Sequence, residues 1–322
     1  MKTKFLIIFC GFLLASCGGG SSSDTAENPI TAPKENEERC SSAGINTQRC
    51  TFTHNNLERF YLIYKPESLS QSNKNVPLLF ALHGYGSTAV FHKSYTQYES
   101  LSEEDEFIII YPQGYKLESA LTNSSSHWNS GAWTIGSSID DLDFINTIIE
   151  IVTDKEQIDS NRIYSSGMSN GGFMSYHLAC NLSNKIAAIA SVTGSMSRET
   201  LSDCSANHTM PILQIHGLQD SVVPYGGSSV VGMEPIDGVL NYWASFNDCN
   251  PNRLLAITDY FNEKGSIEFI HYESCLNNAD VRLIRIPSMG HTWPSFSNFN
   301  ISASEEVWNF VSQFDISGKI NN

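Results

Sequence analysis

The chain predicts an α/β fold, a mostly parallel sheet covered by helices on both faces. Three observations carry that expectation. Short, continuously apolar runs such as Val76–Leu82 and Phe107–Tyr111 read as strands buried on both sides. Runs with helical apolar spacing alternate with them. Polar, glycine-rich segments follow the apolar runs directly, and ligands of such sheets bind outside the carboxyl ends of the strands.

The elements follow in order. Lys2 and Lys4 precede an apolar stretch, Phe5 to Leu14, that is too short to span a bilayer comfortably, so residues 1–17 read as a targeting signal. It ends in Leu14-Ala15-Ser16-Cys17, which resembles a bacterial lipoprotein lipobox with Cys17 as the acylated residue. Gly18 rather than an acid after that cysteine favours outer-membrane sorting by the same analogy. Residues 18–38 are Gly/Ser-rich, then polar with proline, and read as a flexible tether. One domain is expected over 39–316, with 317–322 as a tail. Within it Arg59–Tyr64 has strand character at an antiparallel edge. Asp141–Val152 has helical spacing and an acidic start that suits a helix N-terminus. Arg162–Ser166 is a strand and Gly172–Leu182 a helix. Ile186–Val192 and Pro211–Ile215 are buried strands. Ile236–Phe246 reads as a helix, Val281–Ile286 as a strand and Glu305–Phe314 as a closing helix.

The formal net charge is −15, which argues against a nucleic-acid partner and favours an uncharged substrate over an anionic one. Apart from Cys10 and Cys17, the cysteines are Cys40, Cys50, Cys180, Cys204, Cys249 and Cys275. An even set in an exported chain points to disulfides, and sequence neighbours suggest Cys40–Cys50, Cys180–Cys204 and Cys249–Cys275. No Cys-x-x-Cys is present, and Asp140, Asp141 and Asp143 read as a helix start, so no metal site is expected.

The chemistry sits at the strand ends. Gly167-Met168-Ser169-Asn170-Gly171, between a strand and a helix, has the form of a nucleophile elbow. A serine hydroxyl is a poor nucleophile until it is exposed, held still and set beside a base. The alternative is a Gly/Ser-rich turn without chemistry, so the partners decide. Asp220 closes the loop after Pro211–Ile215, and His291 follows Gly290 after Val281–Ile286. The order Ser, Asp, His is that of an α/β-hydrolase triad. Ser169 is then the nucleophile, His291 the general base and Asp220 the group that orients the imidazole. The backbone N–H groups of Asn170 and of Tyr85, in His83-Gly84-Tyr85-Gly86, are the expected oxyanion donors. His83 and His216 read as loop-holding residues and His271 as a strand residue. Asp203, Asp237, Asp248, Asp259 and Asp280 are rivals for the acid without its place at a strand end. Trp293, Trp133 and Trp128 are candidate walls of an acyl pocket, with a packed structural role as the alternative for the latter two.

These residues resemble the polyhydroxybutyrate depolymerase / feruloyl esterase family of extracellular α/β-hydrolases. The resemblance rests on Leu82-His83-Gly84-Tyr85-Gly86-Ser87, Tyr111-Pro112-Gln113-Gly114, Gly167-Met168-Ser169-Asn170-Gly171-Gly172, His216-Gly217-Leu218-Gln219-Asp220 and Gly290-His291-Thr292-Trp293-Pro294, and it covers about residues 57–315. It implies disulfides at Cys180–Cys204 and Cys249–Cys275, and carboxylic ester hydrolysis through an acyl-enzyme without a cofactor. Feruloyl or acetyl esters of plant polysaccharide fragments are the expected substrates, with hydroxybutyrate oligomers as the alternative. No Thr/Pro-rich linker follows the closing helix, which speaks against direct attack on insoluble polyester. A third reading, a lipid-anchored binding protein without activity, is disfavoured by the ordered triad. The expected location is the cell envelope, through an anchor at Cys17, or the extracellular space.

Overall fold

The computed structural model describes residues 35–71, 73–117, 125–134, 136–259 and 266–320. The expected signal, Cys17 and the tether up to residue 34 lie outside the described residues. Eleven strands form one sheet: β1 (Arg39–Gly44), β2 (Thr47–His54), β3 (Leu57–Tyr64), β4 (Val76–Leu82), β5 (Ile108–Pro112), β6 (Ile158–Met168), β7 (Ala188–Val192), β8 (Ile212–Gly217), β9 (Arg253–Asp259), β10 (Ser266–Tyr272) and β11 (Val281–Ile286). Their spatial order is β1-β2-β3-β5-β4-β6-β7-β8-β11-β10-β9. The centre, from β5 through β4, β6, β7 and β8 to β11, is parallel. An antiparallel meander, β1 to β3, extends one side, and the antiparallel strands β10 and β9 extend the other.

Among the described residues, eight α-helices pack around the sheet: α1 (Ala89–Thr96), α2 (Glu99–Asp105), α3 (Asp141–Lys155), α4 (Asn170–Asn181), α5 (Arg198–Ser202), α6 (Ile236–Phe246), α7 (Phe296–Phe299) and α8 (Ala303–Val311). The central strand β4 shows why both faces must be covered. Leu78, Phe80 and Leu82 point into a core shared with Phe144 and Ile148 of α3, Met174 and Leu178 of α4, and Leu240 and Trp243 of α6. Leu79 and Ala81 point the other way, toward Ala89 of α1 and Val307, Trp308 and Val311 of α8. The period-2 alternation of a strand thus serves two cores, which is why the sequence shows no polar face there.

The N-terminus of α3 carries a buried ion pair. Asp140 caps the helix by accepting from the Asp143 N–H at 2.9 Å. Asp141 accepts from Arg59 Nη2 at 2.7 Å, with both side chains almost fully buried and the guanidinium 3.6 Å above the Phe144 ring. The remaining Asp141 oxygen accepts from the Asn129 N–H at 2.9 Å, which ties the loop bearing Trp128 to the helix.

Both ends of the domain differ from the expectation. The fold begins by Glu35 rather than Arg39, because Glu35 bridges to Thr53 and the Asn36 N–H donates to the Thr53 carbonyl at 2.9 Å. The expected tail folds back, because Gly318–Lys319 pairs with Phe314–Asp315 and the Ile320 N–H reaches Gln313. Disulfides join Cys40 to Cys50, Cys180 to Cys204 and Cys249 to Cys275. Cys40 and Cys50 stand opposite each other in the β1–β2 ladder, and all six residues of β1 are exposed.

Candidate active site

The elbow forms where β6 runs into α4. Ser169 has φ 53° and ψ −121°, a left-handed conformation that costs an L-residue on the order of 1–3 kcal/mol. Its own N–H donates to Val192 of the neighbouring strand at 2.9 Å, which helps to hold that conformation. The flanking glycines are there for closeness. A Cβ on Gly167 would lie 2.2 Å from the Gly171 carbonyl, one on Gly171 2.1 Å from the Leu82 carbonyl oxygen, and one on Gly172 2.5 Å from Ser191 Oγ. The helix therefore rests on the backbone of β4 and β6, and Ser169 is lifted onto the carboxyl end of the sheet.

Two further loops reach the same end. Asp220 follows β8, and its Oδ1 accepts from the backbone N–H groups of Val222 and Val223, each at 2.9 Å. Its Oδ2 faces His291 Nδ1 at 2.8 Å. Burial alone would raise the Asp220 carboxyl, but the hydrogen bonds from His291 and the two amides outweigh it and hold it below the usual range. An ionised Asp220 requires the proton of His291 to sit on Nδ1, which leaves Nε2 free to accept another. The acid loop and the histidine loop are laced together. Gln219 N–H donates to the Met289 carbonyl, and a Cβ on Gly217 would lie 1.9 Å from that same oxygen. Tyr95 of α1 secures the loop from the other side, with its hydroxyl 2.9 Å from Thr292 Oγ1 and accepting from the Trp293 N–H at 3.1 Å.

The His83–Gly86 loop lies against the elbow, and a Cβ on Gly84 would be 3.5 Å from the Ser169 Cβ. Among the described residues, neither the Tyr85 nor the Asn170 N–H donates to a backbone carbonyl. His83 holds this loop. Its Nδ1 donates to the Gly84 carbonyl at 2.8 Å, and its Nε2 accepts from the Gly114 N–H at 2.9 Å. Burial pushes its pKa down to about 4, so the ring stays neutral. The Asn170 side chain bridges both backbone groups of Trp128, accepting at 2.7 Å and donating at 3.0 Å.

The three tryptophans separate. Trp133 is half-buried, with Tyr85 at 6.5 Å and Phe173 at 5.0 Å between ring centroids, in a small apolar cluster with Ala132, Val223 and Met233. Phe173 lies one turn after Ser169, and Val223 is the residue whose N–H holds Asp220, so this cluster borders the serine and the acid. Trp128 does not line a substrate pocket. It is fully buried, donating from Nε1 to the His83 carbonyl at 2.8 Å and packing 5.0 Å from the His83 ring. Trp293 does not line one either: it is 3% exposed, wedged beside His92 and Tyr98, with Nε1 donating to Ser304 Oγ at 3.1 Å. Both rings support the loops from beneath. The sequence reading did not identify Tyr85 and Phe173 as neighbours of Trp133, nor Val223 and Met233 as members of its apolar cluster. The position of Phe173 four residues after Ser169 was the available signal, since it puts both on one helix face. His271 pairs with Asp280 at 3.3 Å, apart from this constellation.

The family described as phospholipase/carboxylesterase matches residues 65–231. A bifunctional acetylxylan esterase/xylanase of Neocallimastix patriciarum is 27% identical over 260 residues, which is 80% of this chain and 34% of that protein. Feruloyl esterase B of Piromyces equi is 30% identical over 266 residues, 79% of this chain and 45% of its own length. The chain therefore spans less than half the length of these two relatives. Among solved structures, an acetyl xylan esterase from Aspergillus awamori superposes with a TM-score of 0.55 at 16% identity, covering 78% of this chain and 94% of that one. The fold they share is the α/β-hydrolase fold.

Proposed function

This chain belongs to the phospholipase/carboxylesterase family, and on that premise we propose that it is an exported serine carboxylic ester hydrolase acting on feruloyl or acetyl esters of plant polysaccharide fragments. The observation that carries the reading is the Asp220–His291 pair at 2.8 Å, on the same end of the sheet as a serine held in a strained elbow. Ser169 attacks the ester carbonyl as His291 Nε2 takes its proton. The Tyr85 and Asn170 N–H groups receive the developing oxyanion, a contribution of about 10²–10³ in rate for each donor. His291 then protonates the leaving alcohol, and water releases the acyl group by the same steps in reverse.

The aromatic cluster of Trp133, Tyr85 and Phe173 supports a planar aromatic acyl group over acetyl, because flat rings gain most from edge and face contacts. The relatives' names, feruloyl esterase and acetylxylan esterase, support the same substrate class. Export, with an anchor at Cys17, rests on the apolar leader and its Leu-Ala-Ser-Cys end, and the disulfides fit an oxidising compartment. Rates on methyl ferulate, acetylated xylan and a hydroxybutyrate trimer, for the wild type and Ser169→Ala, test the reading. Loss of every activity in the variant with ferulate as the best wild-type substrate is the expected result. Full activity in Ser169→Ala refutes it. Replacing Cys17 releases the protein from the membrane fraction if the anchor is real.

A further inference from the structure

Behind the acid loop lies a buried chain of polar side chains that the steps above do not use. Tyr176, Gln214 and His216 are all fully buried. The Tyr176 hydroxyl donates to Gln214 Oε1 at 2.8 Å. Gln214 Nε2 donates to the Gly194 carbonyl at 2.9 Å and stands 3.0 Å from His216 Nδ1. The other ring nitrogen, His216 Nε2, is 2.9 Å from the Val223 carbonyl and 3.6 Å from Asp220 Oδ2. Tyr225 closes the site with its ring edge-on at 5.9 Å.

The hydrogens of this chain are dictated by its ends. Gln214 can satisfy both the Tyr176 hydroxyl and the Gly194 carbonyl only with its oxygen toward the first and its nitrogen toward the second. The amide therefore presents N–H to His216, so Nδ1 is the acceptor and the ring proton resides on Nε2. That N–H donates to the Val223 carbonyl, and its positive end looks past it at Asp220 Oδ2. The distance of 3.6 Å is too long for a hydrogen bond but short for an electrostatic contact in a dry site. Val223 matters because its own N–H is one of the two that hold Asp220 Oδ1. One imidazole thus fixes the turn that grips one carboxylate oxygen and faces the other.

We propose that His216 is a positioning residue for the triad: through its Nε2–H, kept there by Gln214, it holds the Val223 turn and Asp220 in register with His291. Tyr176 lies on the helix that Ser169 begins, so the same chain keys the nucleophile's helix to the acid turn. The inference rests on the reading of Ser169, Asp220 and His291 as a catalytic triad.

The test compares His216→Leu, which removes the donor, with His216→Gln, which returns an N–H close to the Nε2 position. Hydrolysis of p-nitrophenyl acetate is followed from pH 5 to 9, with thermal unfolding in parallel. His216→Leu lowers kcat by about 10- to 100-fold with KM within about twofold, the scale expected when a catalytic group is displaced by up to an ångström. The acid limb of kcat/KM moves to higher pH, because removing the positive end of a dipole beside the Asp220–His291 pair favours protonation of the pair. His216→Gln recovers most of the loss and returns the limb. A structural role alone would lower the melting temperature in both variants and leave the limb in place. Should His216→Leu fail to fold, Gln214→Leu, which frees His216 to take the other tautomer, serves with the same expected direction. An unmoved limb with kcat within twofold of wild type, or a glutamine variant as impaired as the leucine one, overturns the proposal. Full activity in Ser169→Ala sinks the triad itself, an outcome these variants cannot imitate.

Discussion

Replacing Asp220 by asparagine changes one atom, and the structure dictates where that atom goes. Oδ1 accepts from two backbone amides, of Val222 and Val223, each at 2.9 Å. An asparagine with its NH₂ group there would set a donor against two donors and forfeit two hydrogen bonds, each worth about 1 kcal/mol. Its carbonyl oxygen therefore stays on that side, and its NH₂ takes the place of Oδ2, facing His291 Nδ1 across the former 2.8 Å contact. Nδ1 must then accept, so the imidazole proton moves to Nε2, where it blocks transfer from Ser169. The wrong tautomer costs about 10⁴ in kcat, which corresponds to about 5 kcal/mol of transition-state stabilisation. The fold is expected to survive, since the amide is isosteric and its oxygen keeps both backbone donors. Initial rates on p-nitrophenyl acetate near pH 7.5, with circular dichroism on the same samples, measure both. A folded Asp220→Asn protein with kcat within tenfold of wild type would refute the assignment of the acid.

Other outcomes follow from the same geometry. If Trp133 borders the acyl group as proposed, Trp133→Ala lowers kcat/KM for methyl ferulate by about tenfold while p-nitrophenyl acetate changes little, because an aromatic acyl group would lose a ring contact that acetyl does not make; equal losses on both esters would place Trp133 outside the acyl site. Gly171→Ala destabilises toward the upper end of the roughly 1–3 kcal/mol seen for overpacking, since the added Cβ meets backbone oxygens of Leu82 at 2.1 Å and His83 at 2.7 Å that cannot swing away; denaturant unfolding with an unchanged midpoint would contradict the close packing. Stability falls as pH drops from 6.5 toward 4. Burial pushes His83 down to about 4 and His92 to about 3, so in that window the unfolded chain binds more protons than the folded one. His92→Phe flattens the slope of the urea midpoint against pH, because His92 Nε2 has no hydrogen-bond partner among the described residues and a neutral ring suits its place beside Trp293; an unchanged slope would count against that source.

What the sequence made legible was whatever depends on neighbours in the chain. A strand buried on both faces must be apolar throughout, so Val76–Leu82 and Val281–Ile286 announce themselves with their true bounds. The elbow is readable because each of its glycines stands where the backbone leaves no room for a Cβ. Asp220 and His291 are separated by 71 positions yet meet, and their places directly after buried strands pointed to that meeting. The tryptophans were not legible. A loop tryptophan near a candidate catalytic histidine looks the same in sequence whether it faces a ligand or the core. Trp128 is settled by the His83 carbonyl 45 positions away, and Trp293 by rings from α1 and the start of α2. The strand β1 was missed for a simpler reason: with no buried face, Arg-Cys-Ser-Ser-Ala-Gly carries no apolar alternation to read.

That exposed strand ties the molecule's integrity to its surroundings. β1 occupies one end of the sheet and contributes nothing to either core, so it is held by its ladder to β2 and by the Cys40–Cys50 bond across that ladder. Where thiols are oxidised, the bond keeps β1 in place and the hydrogen-bonding rim of β2 stays covered. Where thiols are kept reduced, the ladder and the contacts of the residues just before β1 remain, and each time β1 peels away β2 becomes a bare edge open to pairing with another chain. A copy whose cysteines have not yet paired therefore has one tie fewer at this border of its sheet, the end farthest from β9, than a matured copy has.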